Sequence, residues 1–179
     1  MLIRIATMVP LMNPDEIPKV LPLKDSPDGS VSLEIHLLGE SAITRTEMAL
    51  LKHEQIGLLA SAQLNYYTNG FKNFVRLERV VVKQKFRGTG YGNMLVSGCI
   101  EHIRETPLQF DAQAIGRHLA TDSKDAEELW IAASNRGVDR IHLECAESLE
   151  EFYQISDMVR SGEIQMEIDL NELDFSSLT

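Results

Sequence analysis

The stretch from Leu77 to Arg104, LERVVVKQKFRGTGYGNMLVSGCIEHIR, constrains the fold more than any other part of the chain. Leu77 to Val82 is rich in β-branched residues of the kind favoured in strands. Lys83 to Lys85 is a polar break, and Gly88, Gly90 and Gly92 follow at alternate positions. Beyond them Val96, Ile100 and Ile103 recur at i, i+4 and i+7, with Leu95 and Cys99 beside them, which predicts a helix with one broad buried face. The order is therefore strand, glycine-rich turn, helix.

A turn of this kind leaves backbone N–H groups unpaired at the start of the helix, with the positive end of the helix dipole behind them. Such an end suits an anion, most simply a phosphate, and Arg87 adds a fixed positive charge at its rim. Glycine allows close approach to the backbone and positive φ. A P-loop requires G-x-x-x-x-G-K-[ST], and the chain has no Gly-Lys-Ser/Thr. A dinucleotide fingerprint requires G-x-G-x-x-G, but counting from Gly88 ends on Asn93 and counting from Gly90 ends on Leu95. What fits is R-x-x-G-x-G, through Arg87, Gly90 and Gly92, preceded by a valine-rich strand.

The run ERVVVKQKFRGTGYG, including the aromatic Phe86 before the arginine, resembles the acetyl-coenzyme A signature of the GNAT (GCN5-related N-acetyltransferase) superfamily. The resemblance implies an α+β (α/β) fold, with a mixed, mostly antiparallel central sheet flanked by helices, in one acyl-CoA N-acyltransferase-like domain. It also implies transfer of an acetyl group from acetyl-CoA, as co-substrate, to an amine by direct attack in a ternary complex. A non-catalytic acyl-CoA-binding regulatory or interaction protein of the same fold is the alternative.

A length of 179 residues suits one domain with a proper core, and 44% hydrophobic with 25% charged residues is ordinary for a soluble globular protein. The net charge of -10 argues against a nucleic-acid-binding surface and is compatible with a small-molecule amine or basic peptide acceptor. Cys99 and Cys145 offer neither a disulfide framework nor a metal spacing, and Cys99, on the apolar helix face, reads as core. The five histidines form no H-x-x-x-H or H-E-x-x-H pair, so no metal is expected. The apolar N-terminus is short and followed by Pro10 and Pro14; it reads as a strand from Leu2 to Val9, with no membrane span and a cytoplasmic location.

Pro14, Pro18, Pro22 and Pro27 exclude a regular helix where the family usually places one or two that wall the acceptor pocket. Strands are predicted over Ser30 to Leu38, Glu47 to Lys52, Gln55 to Tyr66 and Phe74 to Val82, with a turn around Asn69-Gly70. Further on come a helix over Ser123 to Arg136, a strand over Asp139 to Cys145, a helix over Glu147 to Val159, a strand over Glu163 to Leu170 and a tail over Asn171 to Thr179. Two alignments with the family stay open. In one, Asp139 to Cys145 is the strand that follows the cofactor helix and residues 107–138 are an insertion; in the other, LQFDAQAI is that strand. Pairing of the last strand as a sheet edge would suit a homodimer.

Carried over residue by residue, the resemblance lays the pantetheine arm along Val80, Val81 and Val82. The pyrophosphate falls on the amides of Gly88, Thr89, Gly90, Tyr91, Gly92 and Asn93, with Arg87 opening the motif. Transfer to an amine needs a base for the ammonium proton, an oxyanion donor and an acid for the thiolate. Glu78, which shares strand parity with Val80 and Val82, is the candidate base, and a backbone N–H near Val80 the oxyanion donor; a strand carboxylate paired with Arg76 or Arg79 is the competing account. Tyr153 is the candidate acid under the first alignment, and a core tyrosine beside Phe152 otherwise.

Overall fold

A computed structural model of the chain describes residues 17–23, 30–41, 44–68, 72–106, 137–145, 147–160 and 165–169. The expected strand at Leu2 to Val9, the helix at Ser123 to Arg136, most of the 107–138 segment and the C-terminal tail lie outside the described residues.

Eight strands form one sheet: β1 (Lys19–Pro22), β2 (Val31–Glu40), β3 (Thr44–His53), β4 (Gly57–Thr68), β5 (Asn73–Val82), β6 (Arg140–Glu144), β7 (Val159–Arg160) and β8 (Gln165–Asp169). Their order is β1-β2-β3-β4-β5-β6-β8-β7. β1 to β5 are an antiparallel meander, and β6 joins β5 in parallel. A parallel neighbour requires a crossover, and α1 (Tyr91–Glu105) begins it. Of the two alignments left open by the sequence, the structure sets Arg140–Glu144 beside β5.

Alternation decides which face is buried. Leu33 and Ile35 of β2, Ala49 and Leu51 of β3, Ala62 and Leu64 of β4, and Val75 and Leu77 of β5 point to one side. The apolar stripe of α1, Leu95, Val96, Cys99, Ile100 and Ile103, packs against them. Each leucine, isoleucine or valine among them contributes about 1.5–3 kcal/mol when fully removed from water. Burial pushes the Cys99 thiol up to about 12, which leaves it a core residue without nucleophilic character.

One polar cluster sits inside this core. Glu47, in phase with Ala49 and Leu51, is 1% exposed and accepts hydrogen bonds from Arg45, Tyr66 and His102. Arg45 Nε donates to Oε1 at 2.8 Å, and its Nη2 forms an ion pair with the same oxygen at 2.6 Å. Tyr66 Oη and His102 Nε2 each donate to Oε2 at 2.8 Å. A buried carboxylate is tolerable only when its lone pairs are filled in this way. The cluster ties the C-terminal end of α1 to β3 and β4.

The proline-rich segment carries the edge strand β1, in which Lys19, Val20 and Leu21 lie between Pro18 and Pro22 and pair with β2. Two expectations are corrected. The helix expected over Glu147 to Val159 is a single 3-10 turn, Glu147–Leu149, and a five-residue helix α2, Glu150–Gln154. It stops because Ser156 and Asp157 bond back to Tyr153 and Gln154 and Asp157 takes φ 60°, freeing Val159 for β7. The last strand lies between β6 and β7, so it is not the edge proposed for homodimer pairing. Among the described residues no helix is long and apolar enough to cross a membrane.

Candidate functional site

The pairing of β5 changes twice along its length. On the β4 side the register passes from Gln63↔Glu78 to Ser61↔Val81, so Arg79 and Val80 together face Ala62 in a bulge. Arg79 takes φ 51°, a left-handed conformation that costs a non-glycine residue about 1–2 kcal/mol. On the β6 side pairing covers only Phe74, Val75 and Arg76. β6 continues to Glu144 against β8, so β5 and β6 part after Arg76 and leave a cleft.

The bulge resets side-chain parity. Leu77 faces the core before it, Val80 and Val82 pack against the core after it, and Glu78 points to the opposite face with Val81. The shared parity of Glu78 with Val80 and Val82 expected from the sequence is therefore overturned by one extra residue. Glu78 lies on the face away from α1, where Asn65 Nδ2 donates to its Oε2 at 3.0 Å and Arg76 Nη1 stands 3.7 Å from Oε1.

After Val82 the chain makes a 3-10 turn, Gln84–Phe86, and enters the glycine loop. Lys83 N–H donates to Leu59 at 3.0 Å, Arg87 Nε to the Val82 carbonyl at 3.3 Å, and the Thr89 hydroxyl to the Phe86 carbonyl at 2.6 Å. Gly88 and Gly90 adopt φ 75° and 89°, which other residues reach only with strain. Gly90 caps α1 without a side-chain hydrogen bond, and the first helical bond is Met94 N–H to Gly90 at 3.1 Å. The amides of Tyr91, Gly92 and Asn93 accordingly have no acceptor among the described residues. Gly92 is glycine for a different reason: a Cβ there would stand 2.9 Å from Phe152 Cε2.

These parts border one cavity of about 610 Å³, lined by Val80 to Val82, Phe86, Arg87, Gly88, Gly90, Gly92, Asn93, Leu149, Phe152 and Tyr153. The structure thus brings Tyr153 to the glycine loop and the β5 edge, although it is far from both in sequence. Burial, with a smaller contribution from Cys145, pushes the Tyr153 hydroxyl up to about 12, so it is a protonated donor at neutral pH. Thr89 and Tyr91 are outside the lining, Thr89 securing the turn and Tyr91 packing edge-on to Phe86 at 6.0 Å. Glu78 is also outside it. Leu149 and Phe152 were not singled out from the sequence as site residues; the adjacent aromatics Phe152 and Tyr153 were the available signal.

A site with an unpaired strand edge, free helix-start amides and an arginine fits a ligand with an extended amide arm and an anionic end. The loop passes this test on its own geometry, since two glycines hold positive φ and the buried Asn93 Oδ1 has no hydrogen-bond partner among the described residues. An antiparallel meander ending in a bulged strand, a glycine turn, a helix and a parallel strand that splays away give the mixed, mostly antiparallel sheet that the resemblance to the GNAT superfamily implied.

No family model and no curated protein matches the sequence. Among solved structures the chain is similar to a glucosamine-6-phosphate N-acetyltransferase from Arabidopsis thaliana, at 15% identity over 65% of this chain and 62% of that one, with a TM-score of 0.43. It is similar to an acetyltransferase from Trypanosoma brucei at 24% identity over 72% and 70%, TM-score 0.41. A third is the spermidine N-acetyltransferase SpeG from Vibrio cholerae, at 11% identity over 69% and 64%, TM-score 0.41. The chain thus spans less than two thirds of the Arabidopsis and Vibrio chains.

Proposed function

We propose that the protein is an acetyl-CoA-dependent N-acetyltransferase acting on an amine, a small molecule or a basic peptide. The observation that carries the reading is the single cavity in which the unpaired β5 edge, the open amides of α1 and the Tyr153 hydroxyl meet. Acetyl-CoA supplies an activated thioester. Val80, Val81 and Val82 offer main-chain groups to the pantetheine arm, and Gly88 to Asn93 with Arg87 hold the pyrophosphate.

An amine nucleophile must arrive neutral, yet alkyl amines have pKa values near ~10 and are protonated at neutral pH. Glu78 takes that proton from the face of β5 opposite α1, where its side chain is 36% exposed and so within reach of an acceptor. The main-chain N–H near Val80, displaced by the bulge, polarises the carbonyl, and Tyr153 delivers its proton to the leaving thiolate. Burial keeps Tyr153 in the protonated, donor form at neutral pH.

A second reading, a non-catalytic acyl-CoA-binding protein, is favoured by one observation: Glu78 is outside the cavity lining and stands near Arg76, as a purely structural carboxylate would. Incubation with acetyl-CoA and a panel of amines, with free thiol measured, separates the two. Acetyltransferase activity predicts amine-dependent thiol release that Glu78→Gln abolishes; acetyl-CoA binding without release supports the second reading.

A further inference from the structure

The amide side chains beside Glu78 form a chain with a fixed direction. Asn65 Nδ2 donates to Glu78 Oε2 at 3.0 Å, and Gln63 Nε2 donates to Asn65 Oδ1 at 2.9 Å. Gln63 is the cross-strand partner of Glu78, and Asn65 lies two residues along the same face of β4. An ionised carboxylate is acceptor-only, so the Asn65 amide must turn its NH2 to Glu78 and its oxygen to Gln63. That in turn obliges Gln63 to present its NH2 to Asn65, leaving Gln63 Oε1 as the end of the chain. This oxygen is buried and has no hydrogen-bond partner among the described residues. Flipping either amide would set an oxygen against an oxygen, so Glu78 fixes the orientation of both.

We propose that Asn65 is a positioning residue for the reaction: backed by Gln63, it clamps the Glu78 carboxylate toward the acceptor face. This rests on the reading of Glu78 as base. Two features set Asn65 apart from a generic sheet contact. The bulge at Arg79 leaves Glu78 at the last regular pair before the disrupted register. Arg76, the other group near the carboxylate, is 46% exposed and 3.7 Å away, so Asn65 makes the closer and better-directed contact. The charged or titratable groups that share this face on the neighbouring strands are Tyr67 on β4, Arg76 on β5, and Arg140, His142 and Glu144 on β6, with Arg79 at the bulge.

The test follows the Glu78 carboxyl carbon by NMR against pH, assigned by its loss in Glu78→Gln, alongside kcat on an amine that the wild-type protein acetylates. Asn65→Asp is isosteric and replaces the donor with a like charge, so the carboxyl pair titrates at least one pH unit higher, with about a tenfold loss of kcat on the acidic side. Gln63→Glu gives Asn65 a second carboxylate to serve and moves the midpoint the same way, which provides a second variant should Asn65→Asp fold poorly. Coenzyme A affinity is unchanged in both, because neither residue lines the cavity. An unmoved midpoint in both variants overturns the proposal. If instead the midpoints move while Glu78→Gln keeps full turnover, the clamp stands as structure, the positioning role is overturned, and it is the reading of Glu78 as base that has failed.

Discussion

Gly92→Ala probes whether the glycine loop is shaped by its ligand or by its own packing. An added Cβ would lie 2.9 Å from Phe152 Cε2, 3.0 Å from Cζ and 3.4 Å from Val82 Cγ2. Carbon pairs settle at about 3.5–4.0 Å, so the Phe152 ring must retreat by about 0.5–1 Å. Its route is limited by Tyr153, whose ring packs edge-on at 4.8 Å. Overpacking of this kind costs about 1–3 kcal/mol. The helix gains about 1 kcal/mol from exchanging glycine for alanine, which leaves a net loss of about 0–2 kcal/mol. For a chain of this size each kcal/mol corresponds to about 2–4 °C in Tm. The decisive assay is a double-mutant cycle with Phe152→Leu, which removes the ring atoms that the Cβ would strike. Gly92→Ala lowers Tm in the Phe152 background and raises it in the Leu background, with a coupling of about 1–2 kcal/mol. Additivity within about 0.5 kcal/mol would refute the packing explanation.

Glu47→Gln removes the charge that Arg45 and His102 face in the core and costs about 3–5 kcal/mol, read as a fall in Tm. In the intact protein burial raises the Glu47 carboxyl, but the hydrogen bond and charge of His102, then Arg45 and Tyr66, prevail and hold it below its ordinary value of 4.5. The stability it contributes is therefore present above that value and lost as pH falls through the lower folded pKa, so acid unfolding of Glu47→Gln should be shallower than that of the wild type. Arg87→Ala weakens coenzyme A binding about tenfold and reduces its salt dependence, measured by calorimetry at two ionic strengths. Tyr153→Phe lowers kcat about 10²-fold without changing coenzyme A affinity, checked by steady-state kinetics and titration.

The strand, turn and helix from Leu77 to Arg104 were legible because binding an anion on backbone amides requires glycine, and glycine is visible in a sequence. The meander was legible from its alternation. The bulge was not: its left-handed residue is Arg79, which carries no turn signal, and the parity of Glu78 followed from that one hidden residue. The length of α2 was illegible for a similar reason, since Asp157 ends it by a conformation that Asp adopts only in context. The Glu47 cluster had a signal that went unused. Glu47 alternates with the apolar Ala49 and Leu51, and His102 is in phase with Cys99 and Ile103, on the helix face already assigned to the core. The cleft depends on where β5 and β6 part, which no local pattern encodes.

The central claim is that the cavity beside β5 takes coenzyme A. Calorimetric titration of the full chain with coenzyme A tests it directly. The expected result is saturable one-site binding in the micromolar range, weakened by Arg87→Ala and by Gly90→Ala, which would strain a residue at φ 89°. No heat and no thermal shift at millimolar coenzyme A would contradict it.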